Sequence, residues 1–289
     1  MFDVFKNRLE LTGTLTAVTA LRVSEGRSVD VSGSDLPVMK DALGQPLIPG
    51  SSFKGALRSR LESFLRAIDL SLAVSPDVLV SREISQEVTR LKQQYENDAE
   101  LTVQLKNITD AASLVFGSPW QASKFQVRDL TVVNTTWFDQ YQERNGVSID
   151  RDTETAADGR LYDFQVVPAG VKFHFRAVVE NAEDWELGLI SIGMHQFETE
   201  QIPIGGAVSR GLGVVKLEDL TWKWFNACDK GKTQPNPEKV KNYLRSMLSN
   251  QPPSYEDIAH CREHWGDELI KKLPELMKED THILARTSA

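Results

Sequence analysis

IPGSSFKGALR, residues 48–58, joins a break in the chain to a helix start and two basic side chains. Pro49 and Gly50 interrupt the chain, two serines follow, and an amphipathic pattern starts at once. The spacing predicts a helix over 52–68, with Phe53, Leu57, Leu61, Phe64, Leu65 and Ile68 as its apolar stripe. Lys54, Arg58, Glu62 and Arg66 recur every fourth residue on the opposite side. The first N–H groups of a helix lack partners and carry partial positive charge. Ser51 and Ser52 at such an end, with Lys54 and Arg58 beside it, make a corner suited to phosphate. A nucleotide-binding loop of the form G-x-x-x-x-G-K-[ST] is excluded, because Lys54 precedes Gly55 and no Ser or Thr follows it. The plainer alternative is an ordinary helix start with Ser51 or Ser52 as N-cap.

Upstream, RLELTGTLTAV (8–18) alternates, with Leu9, Leu11, Leu15 and Ala17 on one face, as in a half-buried strand. Residues 22–46 are polar and carry Gly26, Gly33 and Gly44, and read as a loop. Downstream, 76–106 is charged and helix-prone, a helical insertion announced by Ser75-Pro76. Residues 124–138 return to strand character, and 140–160 read as a long loop or hairpin. Residues 161–180 form two strands about Pro168-Ala169-Gly170. Residues 185–198 follow as a helix weakened by two glycines, then GGAVSRGLG (205–213) and a strand, VVKLEDLTW. Four prolines in 235–253 mark a boundary before a charged helical tail. Strand, helix, strand, strand, helix, strand is the βαββαβ order of an α+β domain, ferredoxin-like or RRM-like, enlarged by insertions.

The chain has 289 residues, 40% hydrophobic and 26% charged, which sustains a sizeable core. No apolar run reaches the roughly 18 residues of a membrane helix. The charged N-terminus is unlike a signal peptide, and two cysteines make no disulfide framework. These observations point to a cytoplasmic protein with no membrane partner. A net charge of −8 argues against a free-standing, non-specific nucleic-acid binder. Charge is nonetheless polarised. Lys54, Arg58, Arg60 and Arg66 stand against Glu62 alone in 51–66, whereas 139–163 is acidic. Such neighbouring patches of opposite sign also suit docking between subunits.

The glycine-rich segment lies after a helix and before a strand, the reverse of a dinucleotide fingerprint. Its glycines, Gly205, Gly206 and Gly211 among them, and Arg210 could grip a sugar-phosphate chain, or merely form a tight connection. Lys172, His174 and Arg176 alternate with Val171, Phe173 and Phe175, which gives one basic strand face, either an RNA surface or a solvated one. His260 and His264 with Cys261 and the distant Cys228 fall short of a zinc set. Asp30, Asp35 and Asp41 punctuate the loop that leads into 48–58. Loop carboxylates beside bound phosphate can hold Mg2+ or another divalent cation, while turn formation alone explains Asp30 and Asp41. No histidine precedes His174, so this loop has no histidine acid–base pair.

Four segments taken together resemble one family. SDLPVMKDALGQPLIPGSSFKGALRSRLE (34–62) is similar to the signature of the RAMP superfamily, the repeat-associated mysterious proteins, and in particular of the backbone subunits of type III CRISPR effector complexes. LVFGSPWQASKFQVRDL (114–130), GVSIDRDTETAADGRLYDFQVVPAGVKFHF (146–175) and IPIGGAVSRGLGVVKL (202–217) resemble the family's further segments, in the same order. The resemblance spans most of 8–224. It implies a modified ferredoxin-like domain over 1–226, with a thumb hairpin at about 134–162 and an insertion at about 72–110. A helical extension, 227–289, lies outside it. It implies partners too: guide RNA, target RNA and other subunits of the effector complex. Within D-x-P-V-x-x-D, the family's catalytic and metal-holding aspartate maps to Asp35. Ser51, Ser52, Lys54, Arg58, Lys172, His174, Gly205, Gly206, Arg210 and Gly211 are the expected RNA-binding set.

Two functions of different class follow. One is a guide-directed, metal-dependent endoribonuclease with Asp35 in its site. The other is a scaffold that holds guide RNA and neighbouring subunits and cuts nothing. A guide-maturation ribonuclease is a third reading, disfavoured by the absent early histidine.

Overall fold

The computed structural model describes residues 3–24, 26, 36–149, 156–229, 231–232, 234–249, 255, 258 and 261–277, with 147–149 and 156–161 as backbone only. Its centre is an antiparallel sheet of four strands: β1 (Asn7–Ala17), β3 (Phe125–Val127), β7 (Lys172–Glu180) and β8 (Val215–Asn226). Their order is β3-β7-β1-β8, the arrangement of a ferredoxin-like or RRM-like domain. Registers such as Leu11↔Ala177 and Leu11↔Trp222 place β1 in the middle. Leu9, Leu11, Leu15 and Ala17 are at most 1% exposed, so the alternating pattern sets β1's buried face as expected.

On that face lie α1 (Gly50–Ile68) and α6 (Asp184–Glu198). Phe53 is their meeting point, 4.9 Å from the Phe175 ring and 4.3 Å from Phe197. The glycines of α6 are contact positions. A Cβ at Gly193 would sit 2.4 Å from Leu57, and one at Gly188 would sit 2.1 Å from the Trp265 carbonyl oxygen. Close approach of two neighbours therefore outweighs the helix propensity that glycine forfeits. The predicted stripe of α1 needs one correction. Phe64 and Ile68 are exposed, because the buried apolar side chains of α1 are Phe53, Leu57, Leu61 and Leu65.

The insertion holds three helices, α2 (Pro76–Leu79), α3 (Arg82–Gln94) and α4 (Asp98–Asn107), with α5 (Ala111–Phe116) after it. Caps divide them: Ser81, Asn97 and Asp110 each accept a backbone N–H at a helix start. The stretch 124–138 breaks into two short strands. β3 joins the main sheet, while β4 (Leu130–Thr131) pairs with β2 (Leu47–Ile48). The long segment at 140–160 is a hairpin of β5 (Gln142–Ile149) and β6 (Ala156–Val166). Strands β6 and β7 flank Pro168-Ala169-Gly170 without pairing to each other. The turn instead passes the chain from the hairpin into the sheet, with the Gly170 amide donating to the Ala17 carbonyl at 2.7 Å.

The proline-rich stretch contains α7 (Pro237–Leu248), because Pro237 stands at a first-turn position where no amide is needed. Tyr243 of α7 stacks on Phe225 at 4.3 Å and on Phe5 at 5.4 Å, on the sheet face opposite α1 and α6. On the other face, α8 (Cys261–Leu276) lies along α6, and its Trp265 meets Trp224 edge to face at 5.4 Å. Trp265, Leu269 and Leu273 belong to the same apolar core as Leu9 and Leu11.

Candidate nucleic-acid interface

The carboxyl end of β1, the amino ends of β7 and β8, and the foot of the hairpin meet at one edge of the sheet. Ala17 donates to the Val171 carbonyl, Val18 to that of Val214 and Leu21 to that of Val167, each at 2.9 Å. The loop after β1 returns to the same place. Leu36 bridges Phe164, Gln165 donates to the Leu36 carbonyl at 3.1 Å, and Met39 donates to that of Val23 at 2.8 Å. Asp35, like Asp30, lies outside the described residues, but its chain neighbour Leu36 is pinned against the hairpin foot. Asp41 forms a turn, its Oδ1 accepting from the Leu43 and Gln45 amides at 2.9 Å each.

The glycine-rich loop closes over this edge. Gly205, at φ 88°, would bring a Cβ within 2.1 Å of the Arg22 carbonyl oxygen, so only glycine allows the approach. Most of the loop's amides are spent inside the chain. Gly206 donates to Arg22 at 2.8 Å, Gly211 to Val208 at 3.0 Å and Gly213 to Ala20 at 2.9 Å. A backbone grip on phosphate, expected from the glycines, is therefore not what those three amides do. What the loop offers outward is Arg210, whose guanidinium donates to the Tyr162 hydroxyl at 2.8 Å. Tyr162 packs beside Phe164, and the Arg22 guanidinium lies over Phe164 at 4.9 Å. The Nε of Arg22 is buried without a hydrogen-bond partner. Arg22 and Tyr162 were not singled out from the sequence. Arg22 sits in a loop with no pattern, and Tyr162 reads as one more apolar strand residue.

At the start of α1 the N-cap is Pro49, without a side-chain cap, and Ser51 is exposed. The Gly50 amide donates to Asp129 Oδ1 at 2.8 Å, so a carboxylate from within the chain already occupies this helix end. A Cβ at Gly50 would lie 2.6 Å from the Val127 carbonyl oxygen, which explains the glycine. Ser52 donates to the Pro49 carbonyl at 2.9 Å. Lys54 reaches Ser123 Oγ at 2.7 Å, and burial, with the Arg58 charge, pulls its ammonium below the ordinary value. Arg58 turns inward. Its guanidinium donates to Glu62 at 2.6 Å, to the Gly117 carbonyl at 3.1 Å and to Ser113 Oγ at 3.1 Å. Glu62, expected on a solvated side, is buried between Arg58 and Arg66.

The face of β7 that reads as basic is partly neutralised across the sheet. Lys172 pairs with Glu218 of β8 at 3.2 Å, and Glu218 also accepts from Thr16 at 2.6 Å. These partners hold the Glu218 carboxyl below its ordinary range. His174 and Arg176 are exposed on that face, opposite Thr14 and Thr12. Among the described residues no hydrogen bond or ion pair joins the Lys54, Arg210 and Lys172 groups: Lys54 is on α1, which covers the Phe175 face of β7, and Lys172 is on the alternate face. No group of three or more His, Cys, Asp or Glu that could hold a metal occurs among the described residues. Cys228 is buried, Cys261 half-buried, His264 lies 3.4 Å from Asp184, and His260 is outside the described residues. No helix among the described residues is long and apolar enough to cross a membrane.

The pattern of the RAMP superfamily matches residues 14–216, a span that holds β3 and β7 of the sheet, α1, α6, the hairpin and the glycine-rich loop. The CRISPR system Cms endoribonuclease Csm3 of Enterococcus italicus is 25% identical over 213 residues, covering 73% of this chain and 90% of that protein. Its namesake from Methanocaldococcus jannaschii is 24% identical over 253 residues, covering 84% of this chain and 94% of that protein. The Mycobacterium tuberculosis protein of the same name is 43% identical over a shorter stretch of 56 residues. With that match over most of its length, an RRM-like sheet, and the hairpin foot meeting the glycine-rich loop, the chain belongs to the RAMP superfamily.

Proposed function

We propose that this chain is a guide-RNA-binding backbone subunit of a type III CRISPR ribonucleoprotein and that it cleaves target RNA as an endoribonuclease. The observation that carries the proposal is the convergence at one sheet edge: Leu36, next to Asp35, on Phe164 of the hairpin, with Arg210 and Tyr162 beside it. Endoribonuclease is the activity named for relatives that this chain matches over most of their length. Guide RNA, target RNA and other complex subunits are the partners, in the cytoplasm.

RNA carries its own nucleophile, the 2′-hydroxyl. The 2′-oxygen attacks the adjacent phosphorus, a 2′,3′-cyclic phosphate forms, and the 5′-oxygen leaves with a proton. The protein must align that oxygen and offset charge on the phosphate. Asp35 is the residue proposed for the cut, either taking the 2′-proton or anchoring Mg2+ or another divalent cation. With one protein carboxylate, such a cation would draw its remaining ligands from water and phosphate. Arg210, Lys54, Lys172 and His174 are proposed to face the RNA backbone, with Ser51 and Ser52 at the exposed helix start. Gly205, Gly206 and Gly211 shape the loop that presents Arg210. Arg58 supports this surface from beneath.

The test is target cleavage by the assembled, guide-loaded complex with Mg2+ or EDTA, comparing wild type with Asp35→Ala and Asp35→Asn. Loss of specific cuts with target binding unchanged is expected. An unchanged cut pattern would make the subunit a scaffold and place the nuclease in a partner.

A further inference from the structure

Three cations around the proposed RNA surface are held by other side chains, and the partners differ in charge. Arg58 donates to the Glu62 carboxylate and Lys172 pairs with that of Glu218, so much of each charge is cancelled within the chain. Lys54 is held instead by a neutral group, its ammonium donating to the Ser123 hydroxyl at 2.7 Å. That hydroxyl is itself fixed. Its proton goes to the Phe125 carbonyl at 2.7 Å, which leaves its lone pairs for Lys54. Ser123 follows the turn between α5 and β3, which the Ser118 amide closes on the Gln121 carbonyl at 2.9 Å. Just beyond Ser123, Lys124 donates its amide to the Val115 carbonyl at 3.0 Å and its ammonium to buried Glu186 at 2.7 Å. The chain is therefore anchored on both sides of Ser123.

We propose that Ser123 is the positioning residue for Lys54: it holds the ammonium in one place for a phosphate of the RNA backbone. This rests on the RNA-binding reading above and adds to it a residue outside the expected RNA-binding set. A lysine stem is flexible, and an ammonium already fixed loses less freedom when phosphate arrives. Ser123 takes one of the ammonium's three donors and, being neutral, orients the charge without cancelling it. Burial, and then the Arg58 charge, disfavour the charged form of Lys54, and the Ser123 oxygen works against both. The other charged groups around the corner are committed elsewhere: Asp129 to the Gly50 amide, Arg58 to Glu62, and Lys124 to Glu186. Without the Ser123 oxygen, Lys54 sheds its proton at lower pH and its ammonium is no longer held in place for phosphate.

The experiment measures binding of the full chain to oligoadenylate RNA, whose bases do not ionise between neutral and alkaline pH. Wild type, Ser123→Ala, Lys54→Ala and the double variant are compared across that range. At neutral pH, Ser123→Ala should bind roughly 2- to 12-fold more weakly, the factor for one lost hydrogen bond. Its alkaline loss of binding should begin at lower pH than that of wild type, a shift that a merely structural role would not produce. The double variant should bind no more weakly than Lys54→Ala, because Ser123 acts through Lys54. Wild-type affinity and an unmoved alkaline limb in Ser123→Ala, with Lys54→Ala weakened, would overturn the inference and leave the RNA-binding reading standing. Independent, additive losses in the double variant would do the same, as would Lys54→Ala binding like wild type. Failure of wild type to bind the RNA would overturn both. If Ser123→Ala does not fold, Ser123→Cys, close in size and a poor acceptor, takes its place with the same expected outcomes.

Discussion

Lys124 and Glu186 form an ion pair with almost no access to water: the residues are 2% and 1% exposed, and Nζ lies 2.7 Å from Oε1. Glu186 also closes a capping box at the start of α6, accepting from the Glu183 amide at 2.7 Å. Burial pushes the Glu186 carboxyl above its ordinary 4.5, and the Lys124 ammonium opposes that rise. Replacing Lys124 by Met removes the opposition and leaves a buried carboxylate alone, a change that costs about 3–5 kcal/mol in other proteins. Protonation limits the loss. Neutralising a carboxyl of ordinary value 4.5 at pH 7 costs about 3.4 kcal/mol, and the same step at pH 5 costs about 0.7. The sign follows from proton uptake. With the folded value raised, the folded state binds the extra proton, and stability falls as pH rises above 4.5. Urea unfolding of Lys124→Met should therefore show a penalty of about 3 kcal/mol at pH 7 that shrinks by as much as about 2.7 kcal/mol at pH 5. The double variant Lys124→Met with Glu186→Gln keeps the cap acceptor and should lose the pH dependence. A penalty of equal size at pH 5 and pH 7 would refute the reasoning and reduce Lys124 to a packing residue.

Two further outcomes are open to measurement. Gly188→Ala places a methyl group 2.1 Å from the Trp265 carbonyl oxygen, so α8 must retreat and expose part of Trp265, Leu269 and Leu273. A loss of at least about 3 kcal/mol, a red-shifted tryptophan emission and new cleavage within 261–277 under limited proteolysis are expected, and a wild-type urea midpoint would contradict the close crossing. Arg58→Ala strips donors from Gly117 and Ser113 and leaves buried Glu62 to Arg66 alone, so it should cost about 2 kcal/mol before any RNA is added. Arg58→Lys should recover only part, because an ammonium lacks the flat fork that spans three acceptors, and an Arg58→Ala protein of unchanged stability would return Arg58 to the phosphate-binding set.

Local patterns were legible where one face of an element is buried and the other wet. The alternation at 8–18 and the four-residue spacing from Phe53 to Leu65 are of this kind, and both appear in the core as read. Cap chemistry was harder. Ser51 and Ser52 are good N-cap residues by type, yet the helix starts two residues earlier, because Asp129, distant in sequence, supplies the acceptor at Gly50. Proline misled in the same way. Pro237 opens α7 in a stretch that reads as a boundary.

The order of the sheet strands and of the two helices packed on them, the buried face of β1 and the family are all readable along the chain, through four ordered segments of which 48–58 is the clearest. These are properties of short spans, set by periodicity and by residue type. Which charges are left without an intramolecular partner is set in three dimensions. Arg58 and Lys54 share a helix face with the predicted corner, but α5 and Ser123 engage them. Lys172 lies on a basic strand, but Glu218 two strands away neutralises it. The glycine-rich loop has exposed arginine and committed amides. A side chain's availability depends on partners brought from far along the chain, and hydrogen-bond and ion-pair energies act over a few ångströms of space, not over sequence distance.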